Sequence, residues 1–313
     1  MANPTISAIQ KKLNDPELLN KLTKHLSSSE LNSLLLEVMR AKAETALPAE
    51  LMHEYSKSRF VQPSSVDALA FNQMEGKLFE IGQKNEFFPL ECSPLAPLGN
   101  CSSLALVNQN KVVSALRGTE VVADITNLMA LEVSVRRKAL GFDSSLTQLC
   151  AVHRHVRAQA LPPIKGFTAH FKIFCAVTAG KDTGSFEFEK QALLNHFVLY
   201  RYIAQAINLS DVTFVVKFLD EPAHEVFSKA IQSKMETELR DLPLSFITVP
   251  KAEHQYYQKL RFSINMMHNG KEFNIGDGGF LDWTQKLTSN KKERLFTSAL
   301  GIELLLKMKL GMI

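Results

Sequence analysis

The chain has 313 residues, 45% of them hydrophobic and 22% charged, an ordinary globular composition with length enough for a large core. Lys and Arg number 36 against 32 Asp and Glu; the net charge of +4 does not by itself argue for nucleic acid, which needs a clustered basic face. No apolar run approaches the ~18 residues of a membrane helix, the N-terminus lacks a signal-peptide core, and Cys92, Cys101, Cys150 and Cys175 form no Cys-x-x-Cys pair, so a cytoplasmic protein with reduced thiols and no membrane partner is expected.

In chain order, Ile6, Ile9, Leu13, Leu18, Leu19 and Leu22 recur at helical spacing, and Ser27-Ser-Ser-Glu30 supplies a capping Ser and an acidic first turn for a helix over 31–43. These form an N-terminal helical extension, 1–47, before a main domain, 48–313; a separate helical lobe, a dimerisation arm and a segment packed against the main domain all fit it, the last being preferred. Helices are predicted over 48–58 and 65–82, the second stopped by Gly82. The run Phe87–Pro94 is extended, 95–109 is loop, and 112–116 is a short strand. Arg117-Gly-Thr-Glu120 reads as a turn that Thr119 caps into a helix reaching Ala139.

Two strands follow, 148–159 and 166–180, joined by Leu-Pro-Pro-Ile-Lys-Gly (161–166). Alternation puts His153, His155, Arg157 and Gln159 on one face. Arg and His beside a Phe-rich return strand suit an anionic ligand with a flat ring. No carboxylate or Cys accompanies His153, His155 and His170, so no metal is expected. Beyond lie a helix (184–208), a strand (212–219), a helix (222–239), a strand (244–249), a turn (253–257), a hairpin about His268-Asn-Gly-Lys271, the run Gly276-Asp-Gly-Gly279, a solvated loop (291–294), a strand (295–300) and a helix (301–310). Hairpin-joined strands with helices outside predict an α+β fold with a mostly antiparallel sheet.

Several of these segments, taken in order over 65–308, resemble the catalytic domain of class II aminoacyl-tRNA synthetases, and most closely histidyl-tRNA synthetase and the regulatory subunit of ATP phosphoribosyltransferase. Phe87–Pro94 looks like motif 1, which implies a homodimer. Leu116-Arg-Gly-Thr119 is similar to the Leu-Arg-Pro-Glu-Gly-Thr segment used on the amino acid, and Val156-Arg-Ala-Gln159 to Phe-Arg-x-Glu of motif 2. The latter implies a nucleotide site of Arg157, Gln159, His170, Glu303 and Phe171, with Phe174 as another register for the stacking ring. Gln255-Tyr-Tyr-Gln258 and Ile275-Gly-Asp-Gly-Gly279 resemble the histidyl branch's Asp-Tyr-Tyr-Thr and glycine-rich segments. With the upstream turn they imply an amino-acid site of Arg117, Thr119, Glu120, Tyr256, Tyr257, Asp277, Gly278 and Gly279.

Five positions depart from the pattern. Motif 3 reads Gly-x-Gly-x-Glu-Arg, and Ala299 and Leu304 stand at one glycine and at the arginine; Ala252 takes the place of the arginine before the paired tyrosines; Phe280-Leu281 replaces Arg-Tyr. Acyl-phosphate chemistry depends on such fixed cations. The expectation is therefore a synthetase-like protein that binds an amino acid or an adenine nucleotide (ATP with Mg2+), regulates an enzyme partner and does not aminoacylate. With no anticodon-binding domain after Ile313, tRNA is not an expected partner. The alternative is an AMP-forming ligase in which Lys172, Lys259 or Arg261 replaces the missing arginines.

Overall fold

A computed structural model describes residues 3–160, 167–209, 212–221, 224–253 and 257–313. The extension holds α1 (Pro4–Lys12), α2 (Leu18–Asn20), running into a π-helical turn (Lys21–His25), α3 (Ser28–Glu44) and α4 (Pro48–Lys57). Ser27 and Glu30 form the expected capping box. No side chain of α1–α4 is buried, so the exposed helical segment runs through Lys57.

The remaining elements are α5 (Ala68–Lys84), β1 (Phe88–Leu90), β2 (Leu95–Pro97), α6 (Asn100–Leu104), β3 (Ser114–Ala115), β4 (Thr119–Val121), α7 (Ile125–Ala139), β5 (Thr147–Val156), β6 (His170–Lys181), α8 (Glu187–Ala206), β7 (Val212–Asp220), α9 (His224–Glu238), β8 (Leu244–Pro250), β9 (Gln258–His268), β10 (Lys271–Leu281), α10 (Trp283–Thr288), β11 (Glu293–Leu300) and α11 (Ile302–Lys309). Eight strands make one sheet in the order β1-β5-β6-β11-β10-β9-β7-β8. Only β1–β5 and β7–β8 pair in parallel. A small sheet, β2-β4-β3, stands beside it. The fold is thus α+β, with a large, mostly antiparallel sheet flanked by helices. No helix among the described residues is long and apolar enough to cross a membrane.

Alternation along the strands divides two cores. Val152, Phe174 and Phe296 pack with Phe71, Phe197 and Tyr200 under α5 and α8. Ala151, Ile173 and Leu295 pack with Met129, Val133 and Trp283 under α7 and α10. On the first face His196 bonds Thr178 Oγ1 at 2.9 Å and Ser298 Oγ at 2.7 Å, and Tyr200 donates to the same Ser298 oxygen at 2.7 Å. Burial pushes the His196 pKa down to about 3.

Four expectations from sequence are corrected. Gly82 does not end its helix, which runs to Lys84; a Cβ there would lie 2.6 Å from Cys150 Sγ, so close packing sets the residue. The 95–109 segment is not all loop but carries β2 and α6. The helix after Glu120 starts only at Ile125, capped by Asp124 rather than Thr119, because residues 119–121 pair as a strand. The 291–294 run is not solvated throughout: Glu293 is fully buried against Arg137.

Candidate functional site

A cavity of about 450 Å³ opens between the N-terminal ends of α7 and α11 and one end of β6, β10 and β11. Its volume is that of a small-molecule site. Among its lining residues, Arg157, Phe171, Tyr257, Asp277 and Glu303 were expected from sequence, whereas Asp124, Ile173, Asn274, Gly276 and Lys307 were not.

The hairpin delivers the first group. β5 pairs β6 with His155 opposite Phe171 and His153 opposite Ile173, so the two histidines face α7. His155 Nε2 accepts from Ile125 N at 3.0 Å, which places the ring's proton on Nδ1, and burial holds its pKa well below the usual range. Just past the strand, the Arg157 guanidinium lies 5.1 Å from the Phe171 ring centre, and Nε donates to Ala123 O at 3.1 Å. His170 is on the opposite face with Arg154, which donates to its Nδ1 at 3.0 Å; the three histidines therefore do not converge. No group of three or more metal-ligating side chains occurs among the described residues.

The second group comes from α7 and β10. Asp124 Oδ1 accepts from Thr126 N at 3.0 Å and Oγ1 at 2.7 Å, an N-cap arrangement. Asp277 sits between Ala299 and Ser263 in the sheet and receives the Tyr257 hydroxyl at a long 3.4 Å. Burial, followed by repulsion from Asp124, raises the Asp277 pKa. Gly279 lets the tyrosine lie there, since a Cβ would be 2.5 Å from Tyr257 Cδ1 and 2.7 Å from Leu260 O. The glycine run lies within β10, bracketed by register irregularities at Asn274/Gly276 and Gly279/Phe280.

At the other rim, Glu303 accepts from Ser64 Oγ (2.7 Å), Lys172 N (3.0 Å) and Arg154 (3.1 Å), and pairs with Lys307 at 3.1 Å. Burial opposes these contacts, yet together they lower its pKa. Lys172 is paired with Glu75. Among the described residues no ion pair within 4 Å involves Arg157, Asp124 or Asp277.

Other expected residues lie outside this lining. Arg117 is exposed at φ +65°, its N–H donating to Asn32 Oδ1 at 2.8 Å. Thr119 closes its own turn onto Leu116 O. Glu120 is buried and filled by Gly99 N, Cys101 N and Gln109 Nε2. Gln159 is exposed and gives its carbonyl to Arg59. His170 is held between Arg154 and Gln62 O. Gly278 faces Phe262 and Thr297 O, the α8 side of the sheet. Tyr256 lies outside the described residues. Asp124 could have been found from its place two residues before Thr126 at a helix start, had that start been read five residues later.

A magnesium triphosphate fits this donor set poorly. The Arg157 guanidinium lies over the Phe171 ring, Leu304 leaves its part of the wall uncharged, and Glu303 is saturated by protein donors.

The fold is that of class II aminoacyl-tRNA synthetase catalytic domains. The chain is similar in structure to apo histidyl-tRNA synthetase from S. aureus (TM-score 0.59, 12% identity, 78% of this chain and 67% of that one). It is likewise similar to an ATP phosphoribosyltransferase regulatory subunit/histidyl-tRNA synthetase from Bacillus halodurans (TM-score 0.58, 10% identity, 80% and 82%). A threonyl-tRNA synthetase from Aeropyrum pernix shares the fold as well (TM-score 0.61, 13% identity, 77% and 59%). At these identities the likeness is one of fold. No family model and no curated protein sequence matches the chain.

Proposed function

We propose that the protein binds a free amino acid in this cavity and acts as a regulatory, non-aminoacylating member of the fold. The observation that carries the ligand class is the charge on the walls: among the described lining residues three acids (Asp124, Asp277, Glu303) face three bases (Arg157, Lys172, Lys307). A balanced wall with an open guanidinium near an open carboxylate complements a zwitterion. A triphosphate, with about four negative charges, needs a clear cationic excess. The amino acid is therefore favoured over the adenine nucleotide.

Absence of ligase chemistry follows from Leu304 and Ala252, which leave two family positions without the charge that stabilises an acyl-phosphate transition state. A regulatory role has a physical route. Glu303 on the cavity wall holds Ser64, and Arg59 holds the carbonyls of Ala158 and Gln159. The segment between the N-terminal helices and α5 thus touches the site's rim at two places. A ligand that binds one arrangement of that segment more tightly shifts the helices' availability to an enzyme partner.

Thermal-shift measurement over the twenty amino acids, with and without ATP and magnesium, tests the reading. Stabilisation by an amino acid alone is expected, reaching about 2.7 kcal/mol at a hundredfold excess over Kd. Stabilisation only in the presence of ATP, together with ATP–pyrophosphate exchange, would instead make the protein an AMP-forming ligase. Light scattering checks the homodimer that the motif 1 likeness implies.

A further inference from the structure

We propose that the cavity selects a basic amino acid, whose side-chain cation is received by Asp277 while Arg157 and Asp124 hold its α-carboxylate and α-ammonium. This rests on the amino-acid reading above. Of the six charged walls, Lys172 is spent on Glu75, and Lys307 and Glu303 on each other. Among the described lining residues, what remains is one cation, Arg157, against two carboxylates, Asp124 and Asp277, with no ion pair within 4 Å to any of them. A neutral amino acid satisfies Arg157 and one carboxylate. The other would be left enclosed and unmatched, which is costly once water is displaced. A ligand with a second cation closes the count.

Position distributes the roles. Arg157 Nε bonds Ala123 O, adjacent to Asp124, so the α-carboxylate and α-ammonium belong together at the start of α7. Asp277 stands on β10, two strands from β6 and its Phe171 and Ile173. Two strand spacings are roughly 10 Å, a gap that a side chain of five or six atoms covers with a hydrogen bond at each end. The walls along that path include Ile173 and Ala299, which suit methylenes. Asp277 has one hydrogen bond, the long one from Tyr257, and its second oxygen is not buried against protein. Arg261 on the neighbouring strand lies outside the lining and, among the described residues, makes no hydrogen bond to Asp277 and has a buried Nε without a partner; its charge favours the ionised Asp277.

Calorimetry on the full chain tests this, with L-lysine, L-arginine, their neutral counterparts L-norleucine and L-citrulline, and cadaverine, each against wild type and Asp277→Asn. Lysine or arginine is expected to bind at least tenfold tighter than its neutral counterpart. Asp277→Asn is expected to erase that margin, weakening lysine or arginine while norleucine or citrulline, freed of the unmatched carboxylate, binds at least as tightly as to wild type; that retained binding also shows the variant is folded. Equal affinity for charged and neutral ligands in wild type, or a margin that survives Asp277→Asn, overturns the inference and leaves the amino-acid reading standing. Cadaverine bound through Asp277 with no amino acid bound keeps the cation subsite and removes the amino-acid reading. No binding by any of the five removes both.

Discussion

Two arginines at opposite ends of α7 divide the molecule into what is finished and what is open. Arg137 is fully buried, and all five of its N–H donors are used: Nε and Nη2 on the two Glu293 oxygens, and the rest on Asp143 Oδ1, Asp143 O and Ser145 O. Arg157 has a single such bond among the described residues, to Ala123 O. The first guanidinium is a structural rivet, its charge returned within the protein. The second is held in place by one donor with the others left for something else. The lesson is that charge alone does not mark a site; the unspent hydrogen-bonding capacity around it does.

The largest expected effect tests that contrast directly. Arg137→Leu strands the Glu293 carboxylate at zero exposure, and losing one partner of such a buried pair costs about 3–5 kcal/mol. Arg157→Leu should cost under about 1 kcal/mol and abolish ligand binding. Urea unfolding of both variants measures the difference; similar losses would dissolve the contrast.

Acid should destabilise the fold through histidines buried neutral on both faces of the sheet. His196 is neutral when folded, with a pKa near 3 against 6.5 when exposed. The unfolded chain therefore binds more protons between those values, and stability falls as pH drops from about 6.5 towards 3, by up to about 1.4 kcal/mol per pH unit for this group. His155 works in the same direction. His196→Gln should flatten the slope of stability against pH over that range, as read by denaturation at successive pH values.

Legibility in the sequence tracked the same division. The hairpin, the long helix 187–206 and the Asn-Gly turn declare themselves by local pattern, whereas the strand order is seen only in the structure. Arg157, Phe171, Tyr257, Asp277 and Glu303 reach the cavity because they lie on those well-marked elements. Arg117, Thr119 and Glu120 went astray because a three-residue strand stands where a helix cap was read, and short strands paired far along the chain leave no periodic trace. Glu293 looked solvated among Lys291, Lys292 and Arg294 because its partner lies 156 residues away. The same distance in sequence hid Asp124 and Lys307, which enter the site only when α7 and α11 meet the sheet.

A smaller effect concerns the floor of the site. Gly279→Ala places a methyl against Tyr257 and Leu260 O, an overpacking worth about 1–3 kcal/mol. Because the ring must move off Asp277, ligand affinity should fall by more than stability does. Thermal melts with and without lysine separate the two losses.

The smallest effect has the opposite sign to the rest. Asp277 has its pKa raised, so at neutral pH the folded protein carries an ionised carboxylate that burial and Asp124 disfavour. Asp277→Asn removes that penalty and keeps an oxygen for the Tyr257 hydroxyl. The ligand-free variant should therefore melt slightly higher than wild type at pH 7, with the gain shrinking as pH falls towards 3.8, where the unfolded aspartate is itself half protonated. Its extra stabilisation by lysine over norleucine should be lost at the same time. A variant that gains stability and loses that margin in one step is what an open carboxylate predicts; a variant that loses both would make Asp277 another rivet, of the kind Arg137 is.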